Sequence, residues 1–170
     1  MNGTRIAGRA GLVFMLGGLA LACQPRTEGT LTSDERRAIA AAIEQRVKSA
    51  YDLAADDVLA GMLSLYPGDG PVFAAAGGEV TTTRDSLEAA VRQFWTYVGR
   101  NMRDPKWEWT MMQVDVLSPT AAVMTAKYRV PHLTPNGQPH VIGGAWTAVF
   151  SKRDGEWVIV HEHLSDSPSP

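Results

Sequence analysis

The order of hydrophobic periods predicts an α+β domain, three N-terminal helices packed on a curved, mostly antiparallel sheet. Apolar residues recur at helical spacing in three segments upstream of Asp104-Pro105, and the period changes to two from Lys106 onward. Helices first and strands afterwards place the helices on one face of the sheet. Turn signals at Ser118-Pro119-Thr120, Asn136-Gly137 and Asp154-Gly155 divide the second half into long strands, as an antiparallel meander requires.

Composition sets the outer bounds. A chain of 170 residues with 45% apolar and 20% charged residues suits one domain with its own core. A net charge of -2 without basic blocks argues against a nucleic-acid partner. The single cysteine, Cys23, excludes an internal disulfide, so stability rests on the core.

Residues 1–22 read as a signal peptide. Arg5 and Arg9 form a positive n-region, and residues 11–22 are an uncharged run of 12, too short for a membrane span and right for an h-region. Cys23 follows directly. Leu19-Ala20-Leu21-Ala22 resembles a bacterial lipobox, with Ala20 in place of the usual Leu, and Ala20-Leu21-Ala22 is also an ordinary A-x-A cleavage site. Both readings export the protein. The first lipidates Cys23, makes that lipid the only membrane contact, and with Gln24 next favours the outer over the inner membrane. The second leaves a periplasmic or secreted protein. A mature chain from Cys23 carries 14 Lys+Arg against 18 Asp+Glu, a net charge of -4.

Residues 23–31 read as a polar tether, residues 32–165 as the folded domain and residues 166–170 as a disordered tail. Thr32 and Glu35 have capping-box spacing before the first helix, whose apolar side is Ile39, Ile43, Val47 and Tyr51. Asp56 or Asp57 caps a second helix that ends before Pro67-Gly68. Residues 72–76 and 79–82 flank Gly77-Gly78 as a hairpin. Thr83 or Asp85 caps a third helix carrying Leu87, Val91, Phe94 and Trp95. Strands follow over residues 107–117, 121–130, 141–152 and 156–163.

Three helices, a short hairpin and a four-strand meander ending in Trp157-Val158-Ile159-Val160-His161-Glu162-His163-Leu164-Ser165 resemble the SnoaL-like group of the nuclear transport factor two-like superfamily. Residues 153–165 look like the last strand of the association domain of calcium/calmodulin-dependent kinase II. The resemblance implies a cone in which a bent sheet wraps a long helix and a pocket opens between them, and a homodimer joined through the outer sheet face. It places Lys127 where the kinase domain has a pocket arginine. Two further pocket arginines of that domain fall at Ala148 and Leu164, which argues against an anionic ligand. Ketosteroid-isomerase chemistry would need a carboxylate on the strand after the second helix, where residues 72–76 offer none.

Simple alternation puts Trp157, Ile159, His161 and His163 on one face of the last strand, with Val158, Val160 and Glu162 on the other. His161 and His163 are then candidates for the pocket, as acid/base or ligand-binding groups, against a bland role at the strand end. Asp56 or Asp57 would complete a His-Asp arrangement. Tyr51, Trp95 and Trp146 are the aromatic candidates for the cavity wall. A metal is not expected, because no third His or Cys stands at ligand spacing to His161 and His163. With a two-residue turn, His132 and His140 would diverge to opposite faces. No cofactor motif appears. Three functions remain: a binding domain that holds a small, largely apolar molecule in the cone pocket without catalysis, an isomerase, dehydratase or hydrolase using His161 or His163, and a protein-interaction module.

Overall fold

The computed structural model describes residues 31–167. The signal peptide, Cys23 and most of the tether lie outside them, as do the last three residues.

Helix α1 (Ser33–Ala50) opens with the expected capping box. Thr32 Oγ1 accepts from the Glu35 backbone N–H at 3.2 Å, and Glu35 Oε2 accepts from the Thr32 N–H at 2.8 Å. It buries Ile43, Val47 and Ala50. Leu31, expected in the tether, already packs against the core. Helix α2 (Val58–Ser64) is capped by Asp57, which accepts from the Ala60 N–H at 2.8 Å. Helix α3 (Arg84–Tyr97) is capped by Thr83 in a box with Ser86. Its first residue ties it to α2: the Arg84 guanidinium donates to the carbonyls of Leu63, Tyr66 and Pro67 at 3.1–3.2 Å. These carbonyls lie at and just beyond a helix C-terminus, where backbone acceptors outnumber backbone donors. A 3-10 turn (Gly99–Asn101) follows α3, and Trp95 packs so closely on Gly99 that a Cβ there would lie 2.3 Å from its ring.

Six strands form one mixed sheet: β1 (Pro71–Ala76), β2 (Glu79–Thr83), β3 (Glu108–Ser118), β4 (Ala121–Leu133), β5 (Pro139–Arg153) and β6 (Glu156–Asp166). Their order is β2-β1-β6-β5-β4-β3. All pairings are antiparallel except β1 with β6, so the N-terminal hairpin docks on the free edge of the last strand. The helices cover one face, and Ile43, Leu65, Met124, Trp146, Phe150 and Ile159 are fully buried between the layers. This is the cone expected from the sequence. Asp166 and Ser167, expected in the tail, are still held by β5: Asp166 pairs with Gly144, and the Ser167 N–H donates to Gly143 at 2.8 Å.

Two local features differ from the expected register. The β4–β5 strands run on to Leu133 and Pro139, so the loop is residues 134–138 rather than a two-residue turn. Thr134 closes it by bonding to Gln138 and Gly137 through backbone and hydroxyl. His132 and His140 therefore stand directly opposite one another and share a face.

The second is in β6. Val149 pairs with His161, but Phe150 pairs with Ile159, which leaves Val160 as an extra residue. At this bulge the Ile159 N–H donates to the Leu65 carbonyl at 2.7 Å, across to the end of α2. A bulge reverses the alternation beyond it. Trp157 and Ile159 face the core, and past the bulge Glu162 and Leu164 take that side. His161 and His163 turn outward and are exposed.

Candidate functional site

A carboxylate sits at the centre of the interior. Glu162 is 3% exposed. The Tyr66 hydroxyl lies 2.9 Å from both its oxygens, and the Trp146 indole N–H donates to Oε2 at 2.9 Å. Each partner is fixed by a different layer: Tyr66 follows α2, and Trp146 is on β5. A buried carboxylate with two donors and no cation is still costly to keep charged. Burial accordingly pushes the Glu162 carboxyl up to about 7, and the two hydrogen bonds only partly oppose this. Burial and the nearby Glu162 charge likewise raise Tyr66 and Tyr51 well above the ordinary tyrosine range. On the sheet, Glu162 lies beside Ala74 of β1. The chain thus brings an acid next to the strand that lacks one, from the neighbouring strand.

Around this carboxylate the cone is filled by aromatic rings. Tyr51 packs on Trp107, Trp109 and Trp146 with centroids 4.4, 5.6 and 5.6 Å apart. Trp107 stacks on Tyr128 at 5.0 Å and 17°. Space for a ligand is left at the rim. One cleft of about 560 Å³ lies between Phe94 and Val98 of the α3 end, Trp107, Tyr128, Ile142 and Asp166. Another, about 470 Å³, is reached on the Tyr51 side of Trp107. A third, about 810 Å³, lies at the β4–β5 hairpin and includes His132, His140, Asp104 and Glu108. The Trp107 indole N–H is buried and has no partner among the described residues.

The sequence candidates separate on this frame. Tyr51 and Trp146 meet in the aromatic interior, where Trp146 is buried and lines none of these clefts, while Tyr51 borders the one on its side of Trp107. Trp95 lies apart, against Gly99, beside a void of only about 10 Å³, too small for more than a water molecule. Lys127 is exposed on the outer sheet face, opposite Ala145. His161 and His163 are on that same outer face, so the expectation that they look into the cone is corrected by the bulge. Asp57 is spent capping α2 and Asp56 is exposed; among the described residues neither bonds to a histidine. Cys23 lies outside the described residues. Glu162, Tyr66 and Trp107 were not singled out from the sequence. A signal existed for the first: an acid inside the apolar run Val158-Ile159-Val160-His161-Glu162-His163-Leu164 must either face solvent or find donors.

The raised Glu162 pKa fixes a pH dependence. The folded state holds this proton more tightly than the unfolded chain, so the associated stability is complete below about 4.5 and is lost as pH rises through about 7. A shift of this size corresponds to about 3 kcal/mol. The Glu162→Gln variant keeps an oxygen acceptor and removes the charge. Its stability relative to the parent should rise between pH 5 and 8 in denaturant titrations, by roughly that amount. A difference that stays constant across the window would show that Glu162 does not titrate there.

A family profile described as a SnoaL-like domain matches residues 43–170. No curated protein matches the sequence. Among solved structures, a provisionally named calcium/calmodulin-dependent protein kinase II association domain from Xanthomonas campestris is 25% identical. The alignment covers 79% of this chain and 89% of that one at a TM-score of 0.56. A provisionally named scytalone dehydratase from Novosphingobium aromaticivorans is 18% identical, with 80% and 89% covered and a TM-score of 0.65. The association domain of the C. elegans kinase is 18% identical, with 78% and 98% covered and a TM-score of 0.62. These last two likenesses are of fold. With its three helices, mixed six-stranded sheet and a profile match over more than half its length, the chain belongs to the SnoaL-like domain family.

Proposed function

We propose that this protein is an exported cell-envelope domain that holds a small, largely apolar molecule at the rim of its cone without turning it over, and that it works as a homodimer. The observation that carries the binding role is the Trp107–Tyr128 stack. It walls a cleft of about 560 Å³, within the usual size of a small-molecule site. A flat apolar body fits that wall. The interior itself is occupied by side chains, so the ligand sits on the aromatic plug rather than beneath it. The absence of catalysis is argued from placement. Glu162 lines none of these clefts, and both its oxygens are engaged. The histidine-based enzyme reading needs His161 or His163 inside the cone, and both are outside.

In a fluorescence titration with planar apolar molecules, Trp107→Leu and Tyr128→Leu each remove one ring of the stack. Binders should weaken about tenfold in each, the worth of one aromatic contact, and melting curves separate this from unfolding. Ligands that bind both variants as tightly as the parent would place the site elsewhere.

The dimer reading rests on the outer sheet face. Across it Thr147 stands between Thr125 and His163, and Val149 between Val123 and His161. Such uncharged or weakly charged, partly apolar residues make a surface that a second copy can meet. The association domains among the structural neighbours support self-association by name. Thr147→Glu would bring two like charges together near the two-fold axis, a cost of several kcal/mol or about a hundredfold in Kd. Sedimentation velocity should show the dimer dissociating; a dimer that persists unchanged would move the interface to another face.

Export is argued from residues 1–22 and the position of Cys23. Cys23→Ala should shift the protein from the membrane fraction to the soluble envelope fraction and abolish labelling by a fatty-acid analogue. A distribution identical to the parent would leave ordinary signal cleavage as the reading.

A further inference from the structure

The cleft walled by Trp107 and Tyr128 is not uniformly apolar. Its floor includes the cross-strand row Tyr128, Gly144 and Asp166, one residue from each of β4, β5 and β6. Residues in one row point to the same side of the sheet. The Tyr128 ring and the Asp166 carboxylate therefore stand on either side of a residue with no side chain. That gap is fixed, because a Cβ on Gly144 would lie 2.2 Å from the Ser165 carbonyl oxygen, a backbone atom. Three aromatic rings, Phe94, Trp107 and Tyr128, line the cleft, and among the described residues Asp166 is its one carboxylate. Two other titratable residues border it. Arg129 follows Tyr128 and so points to the outer face, where it pairs with Glu108 at 3.2 Å. His140 turns its Nδ1 to His132 at 3.3 Å.

We infer that this cleft selects an organic cation, a small apolar body bearing a quaternary or alkylated ammonium. The inference rests on the rim-binding reading above and names the ligand class of that site. The faces of aromatic rings are electrostatically negative, and rings grouped around a cation are the usual means of recognising alkylated ammonium groups. Alkyl groups on the nitrogen pack on the rings and leave few N–H donors in need of partners. Asp166 supplies the full negative charge, and among the described residues it forms no ion pair. Glu162 lies deeper on the same face of β6. Burial, then the Asp166 charge, then the Glu162 charge raise the Tyr128 pKa, so both acids act on a ring that would meet the cation. A neutral ligand gains the rings alone, and an anion is opposed by Asp166.

Benzyltrimethylammonium and neopentylbenzene have one shape and differ by a single charge. In tryptophan-fluorescence titrations of the full chain at low salt, the cation should bind about tenfold more tightly than its neutral isostere. Asp166→Asn should abolish that preference without moving the melting curve. Asp115→Asn, at an exposed acid of the outer face, should keep it. Equal affinity of the two probes in the parent, a preference that survives in Asp166→Asn, or one lost equally in Asp115→Asn would each overturn the cation assignment; if both probes still weaken in Tyr128→Leu, the rim site itself stands. A cation that shows no binding at millimolar concentration, or that binds Tyr128→Leu as tightly as the parent, would overturn the rim site and the inference with it. Phosphatidylcholine vesicles present the same ammonium beside a phosphate and should not displace the probe. Displacement would overturn the assignment to a free cation in favour of a lipid headgroup.

Discussion

One extra residue in the last strand decides what the cone contains. Val160 has no partner on β5, and the N–H of the residue before it, Ile159, donates to Leu65 at the end of α2. That bond anchors the sheet to the helical layer at the place where the two must close. It also exchanges the two faces of the strand beyond it. Without the bulge, His161 and His163 would share the core side with Trp157 and Ile159, and Glu162 would be outside. With it, the acid is inside and the histidines are outside. Tyr66 stands only one residue beyond Leu65 and reaches Glu162 from the same short segment. The bulge and the buried carboxylate are therefore one arrangement, in which the backbone donor at Ile159 and the side-chain acceptor at Glu162 both bind to the end of α2.

Around that anchor the aromatic side chains become packing rather than cavity wall. Tyr51, Trp109 and Trp146 touch one another, and Trp107 and Tyr128 close the upper side. Aromatic contacts of this kind contribute about 0.5–1.5 kcal/mol each beyond burial, enough to keep the plug closed without a ligand. A cone closed in this way shifts recognition to its rim, where the ends of α3, β4 and β5 meet. The rim is also where the β4–β5 hairpin brings two histidines together.

The elements were legible in the sequence because each is set by local chemistry. Thr32 with Glu35, Asp57 and Thr83 are caps wherever a helix follows, and Asp154-Gly155 can only be a turn: both residues have positive φ, 50° and 88°. The site was not legible because it depends on register. Nothing in Val158-Ile159-Val160 announces that one residue will be left out of the ladder, since all three are good strand formers. The donor that stabilises the bulge is matched to a carbonyl more than ninety residues earlier in the chain. The hairpin failed for a similar reason. Asn136-Gly137 is a strong two-residue turn signal, but Thr134 closes a longer loop by bonding to Gln138, and this added length turns two diverging histidines into a facing pair.

The same register bears on the ligand class that the resemblance to the kinase association domain implies. The resemblance places two of that domain's pocket arginines at Ala148 and Leu164. In the sheet Ala148 is the direct partner of Glu162, and Leu164 is the partner of Trp146, which donates to Glu162. At the spot where the kinase domain gathers positive charge, this chain has an alanine beside an acid. The reversal is complete, since Lys127, the remaining candidate cation, is on the outer face. Above about pH 7, where Glu162 is charged, an anion entering the cone would meet a carboxylate with a low-dielectric surround, where two like charges repel far more strongly than in water. A neutral molecule is under no such penalty.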